Sequence, residues 1–159
     1  MNVEDLMSRE VVTLHAESVL VDAEEIMGLR RFRHLPVVDG PDRHLVGLVT
    51  HRDLARAAVS SLQGGHLDDQ RLKAAVKVRE VMHPAQTIAH DAPLHEAAAR
   101  LRAGKYGCLP VVDGDELVGI VTEADFVRLT EILLRNLVGD QTVSRDQLER
   151  WLVDADQPS

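Results

Sequence analysis

The feature that most constrains this chain is that its sequence is written twice. The segment HLPVVDG at residues 34–40 returns as CLPVVDG at residues 108–114. The segment LVGLVT at residues 45–50 likewise returns as LVGIVT at residues 117–122. Two copies indicate a duplicated unit of about 55 residues, because a solenoid typically needs three or more repeats.

Each copy has the residue pattern of a small α/β unit. In the first copy, β-branched and apolar runs predict strands at residues 11–14, 35–38 and 45–49. Apolar residues at helical spacing predict one helix over residues 18–29 and a second that begins at Thr50. The order is strand, helix, strand, strand, helix, and the second copy repeats it. A unit of this size is marginally stable alone, so the two units should bury a shared face.

The repeats divide the chain into four predicted parts. They are a first repeat at residues 1–60, a connection at residues 61–77, a second repeat at residues 78–138 and a helical tail at residues 139–159. The tail has a capping-box pattern at residues 144–147, followed by an apolar helical stripe that includes Trp151. We interpret Trp151 as an anchor that holds the tail on the body; a dimer or partner contact is the alternative.

Composition excludes several classes of protein. The net charge of −8 argues against a nucleic-acid binder, which would show a basic face. The single cysteine permits no intrachain disulfide, and the chain shows neither a signal peptide nor a membrane-spanning apolar run, so we expect a cytoplasmic protein. The eight histidines lack metal-site spacing, so no metal site is predicted, and no catalytic constellation is recognisable, so we expect no enzyme.

The motif with the most chemical content is Gly-apolar-apolar-Thr-x-x-Asp, which places Thr50 before Asp53 and Thr122 before Asp125. One interpretation is a helix cap, since a threonine before a helix and an acid three residues later stabilise the helix start. The other is a ligand site. Backbone N–H groups at a helix start and a threonine hydroxyl can donate to phosphate, and a carboxylate accepts from ribose hydroxyls. The glycine lets another backbone or a ligand approach closely.

These features together resemble the cystathionine-β-synthase-type (CBS) domain, which occurs in tandem pairs called Bateman modules. The resemblance covers residues 3–57 and 78–130, and it includes the segments DLM at 5–7 and EVM at 80–82. It implies two β-α-β-β-α units packed sheet to sheet as a pseudo-two-fold pair. It also implies adenosine-type regulatory ligands, namely AMP, ADP, ATP or S-adenosylmethionine, no catalytic cofactor, and assembly into disc-like homodimers.

The resemblance also assigns roles to residues. The aspartates Asp53 and Asp125 would hold the ribose, and Thr50 and Thr122 would lie near the phosphate. The residues expected to hold the base come from the first strand and from the segment around Leu-Pro. They are Thr13, Leu14, His34, Leu35 and Pro36 in the first repeat, and Ile88, Ala89, Cys108, Leu109 and Pro110 in the second.

The two predicted sites differ in charge. The first motif contains Arg52 and is preceded by Arg33, whereas the second has Glu123 directly after its threonine. A carboxylate repels a phosphate by about 1 kcal/mol at 4 Å in water. We therefore expect the Asp53 site to prefer phosphorylated ligands and the Asp125 site to be weaker, empty or suited to a less anionic ligand. The alternative is that these charges are simply solvated surface groups.

Other side chains have open interpretations. Phe32 and Tyr106 occupy matching places, where they either pack between helix and sheet or stack on a base. An apolar stripe from Phe126 to Leu137 suggests a helix–helix contact. The sequence as a whole predicts a nucleotide sensor that acts on an unknown partner protein through ligand-induced conformational or oligomeric change. The alternative is a protein–protein adaptor whose Thr-x-x-Asp motifs are only helix caps.

Overall fold

A computed structural model describes residues 1–62 and 74–137. The predicted tail at 139–159 and most of the predicted connection at 61–77 lie outside the described residues. The chain divides into two compact units, Met1–Asp125 and Phe126–Ser159. The elements of the first repeat are β1 (Leu14–His15), α1 (Leu20–Arg30), β2 (His34–Asp39), β3 (His44–Thr50) and α2 (His51–Leu62). Those of the second are α3 (Val78–Val81), β4 (Ile88–Ala89), α4 (Leu94–Gly104), β5 (Cys108–Asp113), β6 (Glu116–Thr122) and α5 (Glu123–Leu137).

The six strands form one sheet in the order β1-β2-β3-β6-β5-β4. Within each half, the short first strand runs parallel to its neighbour, which pairs antiparallel with the next strand. The two halves join where β3 pairs antiparallel with β6 through His44 and Glu116. The α/β class and the two-repeat architecture are therefore confirmed. The edge-to-edge pairing of β3 with β6, which joins the two halves into one sheet, was not predicted from the sequence.

The local predictions hold closely, with one exception. The Asp-Gly pairs at residues 39–40 and 113–114 predict turns, and turns are present there, since Gly40 and Gly114 have φ of 68° and 60°, a conformation that favours glycine. The strand predicted at residues 11–14 is wrong in its position, because β1 covers only Leu14 and His15. Residues 11–13 are half-buried and lie ahead of the pairing with β2, so their β-branched composition does not place them in the sheet.

The segment at the start of each repeat packs on the half of the sheet that belongs to the other repeat. We call residues 1–8 the first leader and residues 76–83 the second leader. The first leader binds the second repeat, where the backbone N–H of Val3 donates to Ala92 O at 2.9 Å. The second leader binds the first repeat, where the N–H of Val78 donates to Ser18 O at 2.8 Å. Each half of the sheet is thus completed by the leader of the other repeat.

The exchange continues to the end of each leader, at the central strands. His83 and Leu48 exchange two backbone hydrogen bonds of 3.0 and 2.9 Å, and Ser8 and Ile120 exchange two of 2.9 and 3.0 Å. The core follows the same pattern, because Val78 is fully buried in the hydrophobic cluster of the first repeat. The other buried members of that cluster are Leu14, Leu20, Ala23, Met27, Leu35, Val37, Val49 and Leu54.

The glycine of each motif is where a leader makes its closest approach. A Cβ at Gly47 would lie 3.0 Å from Met82 Sδ, and one at Gly119 would lie 2.4 Å from Met7 Sδ. The carbonyl oxygens of the next leader residues would lie 3.2 Å from these positions. Of the two predicted reasons for glycine, the approach of another backbone is therefore the one that the structure shows.

Candidate functional site

The first Thr-x-x-Asp motif lies where β3 passes into α2. Thr50 is the last residue of β3, and Asp53 is the third residue of α2. The Oδ2 atom of Asp53 accepts the backbone N–H of Thr50 at 2.7 Å and the Thr50 hydroxyl at 2.7 Å. A carboxylate that accepts from the residue just before a helix fixes the helix start. The helix-cap geometry is therefore present.

The second motif repeats this arrangement at the start of α5. Asp125 Oδ2 accepts the Thr122 backbone N–H at 2.8 Å and the Thr122 hydroxyl at 2.7 Å. A threonine hydroxyl has one proton, which is directed at the aspartate in both motifs. In this arrangement the threonine oxygen can only accept from a ligand. The predicted donation from threonine to phosphate would require that proton to leave the carboxylate.

The two aspartates have different surroundings. The Asp53 side chain is 10% exposed, and two cationic or ionisable groups approach it. His83 Nε2 lies 3.4 Å from Oδ2, and Arg56 Nη1 lies 4.0 Å from Oδ1. Asp125 is half-buried, and no ion pair joins it to another residue of the described ranges. The first carboxylate is thus more enclosed and closer to positive charge than the second.

His34 connects the first motif to the second repeat. It pairs with Thr50 across β2 and β3, and its ring lies against the backbone of Gly107. Burial is the largest cause that lowers the pKa of His34 below its ordinary value, and the charge of Arg33 adds to it. His83 and Arg52 act in the same direction, whereas Glu123 opposes them. Side chains from both repeats therefore set the electrostatics of the first cleft, which we define as the space beside Thr50, Asp53 and His34.

The equivalent residue in the second repeat is chemically different. Cys108 pairs with Thr122 across β5 and β6, and its side chain is 3% exposed. Burial raises the pKa of the Cys108 thiol to about 12, so the thiol is neutral at physiological pH. A buried neutral thiol is a poor nucleophile and packs as a small apolar group.

Burial separates the predicted base-contacting residues into two sets. The side chains of one set belong to the core, so only their backbone atoms could reach a ligand. This set contains Leu14, Leu35, Pro36, Ile88, Cys108, Leu109 and Pro110. Thr13 and His34 are half-buried, and Ala89 and Arg52 are exposed. Side-chain contact with a base is therefore open to Thr13, His34 and Ala89, and Arg52 is accessible beside the phosphate position.

The two matched aromatic residues are not buried anchors. Phe32 is 41% exposed and Tyr106 is 39% exposed, so neither ring is enclosed in the core. The ring of Tyr106 lies over Gly104 at the end of α4, where a Cβ would be 2.0 Å from the ring.

Sequence reasoning missed His83 and Arg56. Arg56 follows Asp53 by one helical turn, so its proximity could have been found from spacing. His83 follows Asp53 by 30 residues along the chain, and only the leader exchange brings the two together.

The described residues contain neither a metal-ligand cluster nor a membrane-spanning helix. No group of three or more His, Cys, Asp or Glu side chains within residues 1–62 and 74–137 is arranged to hold a metal ion. In the same ranges, no helix is long and apolar enough to cross a membrane.

Comparison with curated proteins places the chain among proteins with CBS domains. The chain is 33% identical over 130 residues to a CBS domain-containing protein of Dictyostelium discoideum, covering 80% of this chain and 89% of that protein. It is 30% identical over 129 residues to L-aspartate semialdehyde sulfurtransferase of Methanocaldococcus jannaschii. That match covers 80% of this chain and 23% of the enzyme.

Solved structures share the fold along most of their length. AcuB of Vibrio cholerae, whose name refers to acetoin utilization, has a TM-score of 0.75 and 37% identity, covering 89% of this chain and 98% of that one. A CBS-pair protein of Arabidopsis thaliana in complex with AMP has a TM-score of 0.69 and 28% identity, with coverages of 83% and 97%. A CBS domain pair with 5′-methylthioadenosine and S-adenosyl-L-methionine has a TM-score of 0.68 and 28% identity, with coverages of 82% and 96%.

The family match covers both repeats. The family model for the CBS domain matches residues 3–60 and again residues 78–131. These ranges include both leaders' signature segments, both Leu-Pro strands and both Thr-x-x-Asp motifs. The chain therefore belongs to the CBS domain family and carries two CBS domains in tandem.

Proposed function

We propose that this chain is a regulatory module that binds an adenosine-type ligand, namely AMP, ADP, ATP or S-adenosylmethionine, in the first cleft. The observation that supports this most is the state of the Asp53 carboxylate. Its Oδ2 accepts twice from Thr50, whereas the ion pair of Oδ1 with Arg56 Nη1, at 4.0 Å, is too long for a hydrogen bond. A largely buried carboxylate oxygen that still has acceptor capacity at a helix start suits the vicinal hydroxyls of a ribose.

The charges around the cleft support a phosphorylated ligand. Arg33 and Arg52 are exposed, and both lower the pKa of His34, so both contribute positive potential there. The N–H groups at the start of α2 add partial positive charge. Glu123 raises the pKa of the same histidine, so its negative charge also acts in the first cleft. The cations outnumber this single carboxylate around His34.

We propose that the second site, beside Asp125, binds phosphorylated ligands more weakly than the first. Gly107 and Ala124 stand at the positions that match Arg33 and Arg52, so neither arginine has a counterpart there. A ligand with less negative charge would fit this site better than a polyphosphate. Solved relatives support adenosine chemistry in general, since one is a complex with AMP and another with 5′-methylthioadenosine and S-adenosyl-L-methionine.

The proposed output is a change in conformation or assembly that a partner protein reads in the cytoplasm. A ligand can produce such a change only if its affinity differs between two states. We propose a homodimer as the assembled form. Its support is the apolar surface of α5, where Val127 is 70% exposed and Leu134 is 53% exposed. The regulatory role is proposed in preference to a catalytic one.

A second candidate function is a protein–protein adaptor in which the motifs act only as helix caps. It is favoured by one observation, since both aspartates accept from their threonines in the manner of a helix cap. A thermal-shift screen with AMP, ADP, ATP, NAD and S-adenosylmethionine separates the two functions. Binding to the native state raises the melting temperature by mass action. A shift with at least one ligand that is lost in Asp53→Ala supports the sensor, and no shift with any ligand supports the adaptor.

A further inference from the structure

We propose that His83 of the second leader is a positioning residue of the first cleft, where its imidazole Nε2 holds Asp53 Oδ2 and leaves Oδ1 to face the ligand. The inference rests on the proposed function and names a residue of the same site from outside the motif. Asp53 and His83 come from different repeats, and Nε2 of the histidine lies 3.4 Å from Oδ2. The first cleft is accordingly incomplete without the second repeat.

The contacts of His83 use both of its ring nitrogens. Its Nδ1 lies 3.1 Å from the backbone oxygen of Pro84, which can only accept a hydrogen bond. Its Nε2 lies 3.4 Å from Asp53 Oδ2, and a carboxylate oxygen is likewise an acceptor. The His83 side chain is 45% exposed, so the ring lies at the rim of the cleft rather than in the core.

His83 faces an oxygen that is already engaged. Oδ2 of Asp53 accepts the N–H and the hydroxyl of Thr50 and also faces His83, so three groups approach this one atom. Such contacts fix the rotation of the carboxylate about its Cβ–Cγ bond. The orientation of Oδ1 follows from that rotation, so a change at His83 reaches the ligand through Asp53.

Within the described ranges, the site beside Asp125 has no equivalent ion pair. Ser8 occupies the matching place in the first leader, with the same pair of backbone hydrogen bonds to Ile120 that His83 makes to Leu48. The leaders are therefore alike in backbone at this place and different in side chain, with an imidazole in one and a hydroxymethyl group in the other.

Other charged groups surround His83 and must be kept constant in a test. Arg56 of α2 lies 4.0 Å from Asp53 Oδ1 with 80% of its side chain exposed. His34 of β2 is close enough for the charge of His83 to lower its pKa. Neither group contacts Oδ2, so substitution of His83 removes the only described ion-pair partner of that oxygen.

The experiment compares AMP binding to the full chain with that to His83→Ala, His83→Gln and the matched control Ser8→Ala by calorimetry. Loss of the His83 contact to the ligand-holding carboxylate should weaken AMP binding about tenfold in His83→Ala. Glutamine keeps an N–H donor, so His83→Gln should recover most of the affinity. Ser8→Ala should leave the affinity unchanged. The melting temperature of each unliganded variant reports any loss of fold separately.

The outcomes distinguish this inference from the proposed function. If Asp53→Ala abolishes AMP binding while His83→Ala binds as the wild type does, His83 has no positioning role and the proposed function stands. If His83→Ala and Ser8→Ala weaken binding equally, leader packing is responsible and the inference is overturned. If the wild type binds neither AMP nor any of the other adenosine ligands, the proposed function is overturned, and the inference with it.

Discussion

The imidazole of His34 fills the space that a side chain at position 107 would need. A Cβ at Gly107 would lie 2.3 Å from His34 Cε1 and 2.6 Å from Nε2, closer than real Cβ atoms approach. The matching residue in the first repeat is Arg33. Because residue 107 in the second repeat is glycine, the His34 ring of the first repeat can be buried against the second repeat.

The first prediction concerns Gly107→Ala. The added methyl group should displace the His34 ring toward water, and because burial is the largest cause of its lowered pKa, that pKa should rise toward its ordinary value. An NMR titration of the ring resonances measures the change. Gly28→Ala is the control, since a Cβ at Gly28 would meet nothing within 4 Å. An unchanged His34 pKa in Gly107→Ala would contradict the proposed contact.

The second prediction concerns the pH dependence of stability. The folded-state pKa of His34 is lowered, so between that value and the ordinary 6.5 the unfolded chain binds more protons than the folded one. Protonation of His34 therefore does not affect the free energy of unfolding above about pH 6.5. As the pH falls below that value, it lowers the free energy of unfolding. Urea unfolding of His34→Gln should show less loss of stability on acidification than the wild type. His95→Gln, at an exposed site on α4, should behave as the wild type.

The third prediction tests the leader exchange. Val78 of the second leader is fully buried in the core of the first repeat, so Val78→Ala should lower the free energy of unfolding by about 2 kcal/mol. Val3 is also fully buried, and Val3→Ala should cost a similar amount. Leu29→Ala, at a residue of α1 that is 77% exposed, should change stability by no more than about 0.5 kcal/mol. Urea unfolding in which Val78→Ala matches Leu29→Ala would refute the burial of the leader.

Local sequence patterns predicted most elements of this fold but not the exchange of its leaders. The Leu-Pro strands, the Asp-Gly turns and the helix that begins after Thr50 each have a signal within a few residues. The pairing of Val3 with the second repeat and of Val78 with the first has none. The leader segments look equivalent in the two repeats, and neither contains a feature that shows which half of the sheet it joins.

The candidate site was predictable in its motif and less so in its surroundings. The contact between Thr50 and Asp53 follows from their spacing at a helix start. The apolar candidates Leu35 and Leu109 were named from the family resemblance, but both are fully buried, because four consecutive residues in each of their strands are buried and both strand faces are covered. The approach of His83 to Asp53 depends on tertiary structure, and so no local pattern predicts it.

The fourth prediction separates the capping role of Asp53 from its proposed ligand role. Asp53→Ala removes the acceptor for the Thr50 N–H and should lower stability by about 1 kcal/mol without ligand. Asp53→Asn keeps one acceptor oxygen and should cost less. Asp125→Ala should also cost about 1 kcal/mol, since its contacts with Thr122 are alike. Equal destabilisation by Asp53→Asn and Asp53→Ala, measured in urea, would show that the oxygen acceptor is not what stabilises the helix start.

The most direct test of the central claim is calorimetric titration of AMP and ATP into the wild type, Asp53→Ala and Asp125→Ala, with each variant first shown to be folded. The account predicts that the wild type binds, that Asp53→Ala loses binding of both phosphorylated ligands, and that Asp125→Ala retains it. Equal loss in the two variants would contradict the difference between the clefts. The absence of binding to the wild type would contradict the sensor itself.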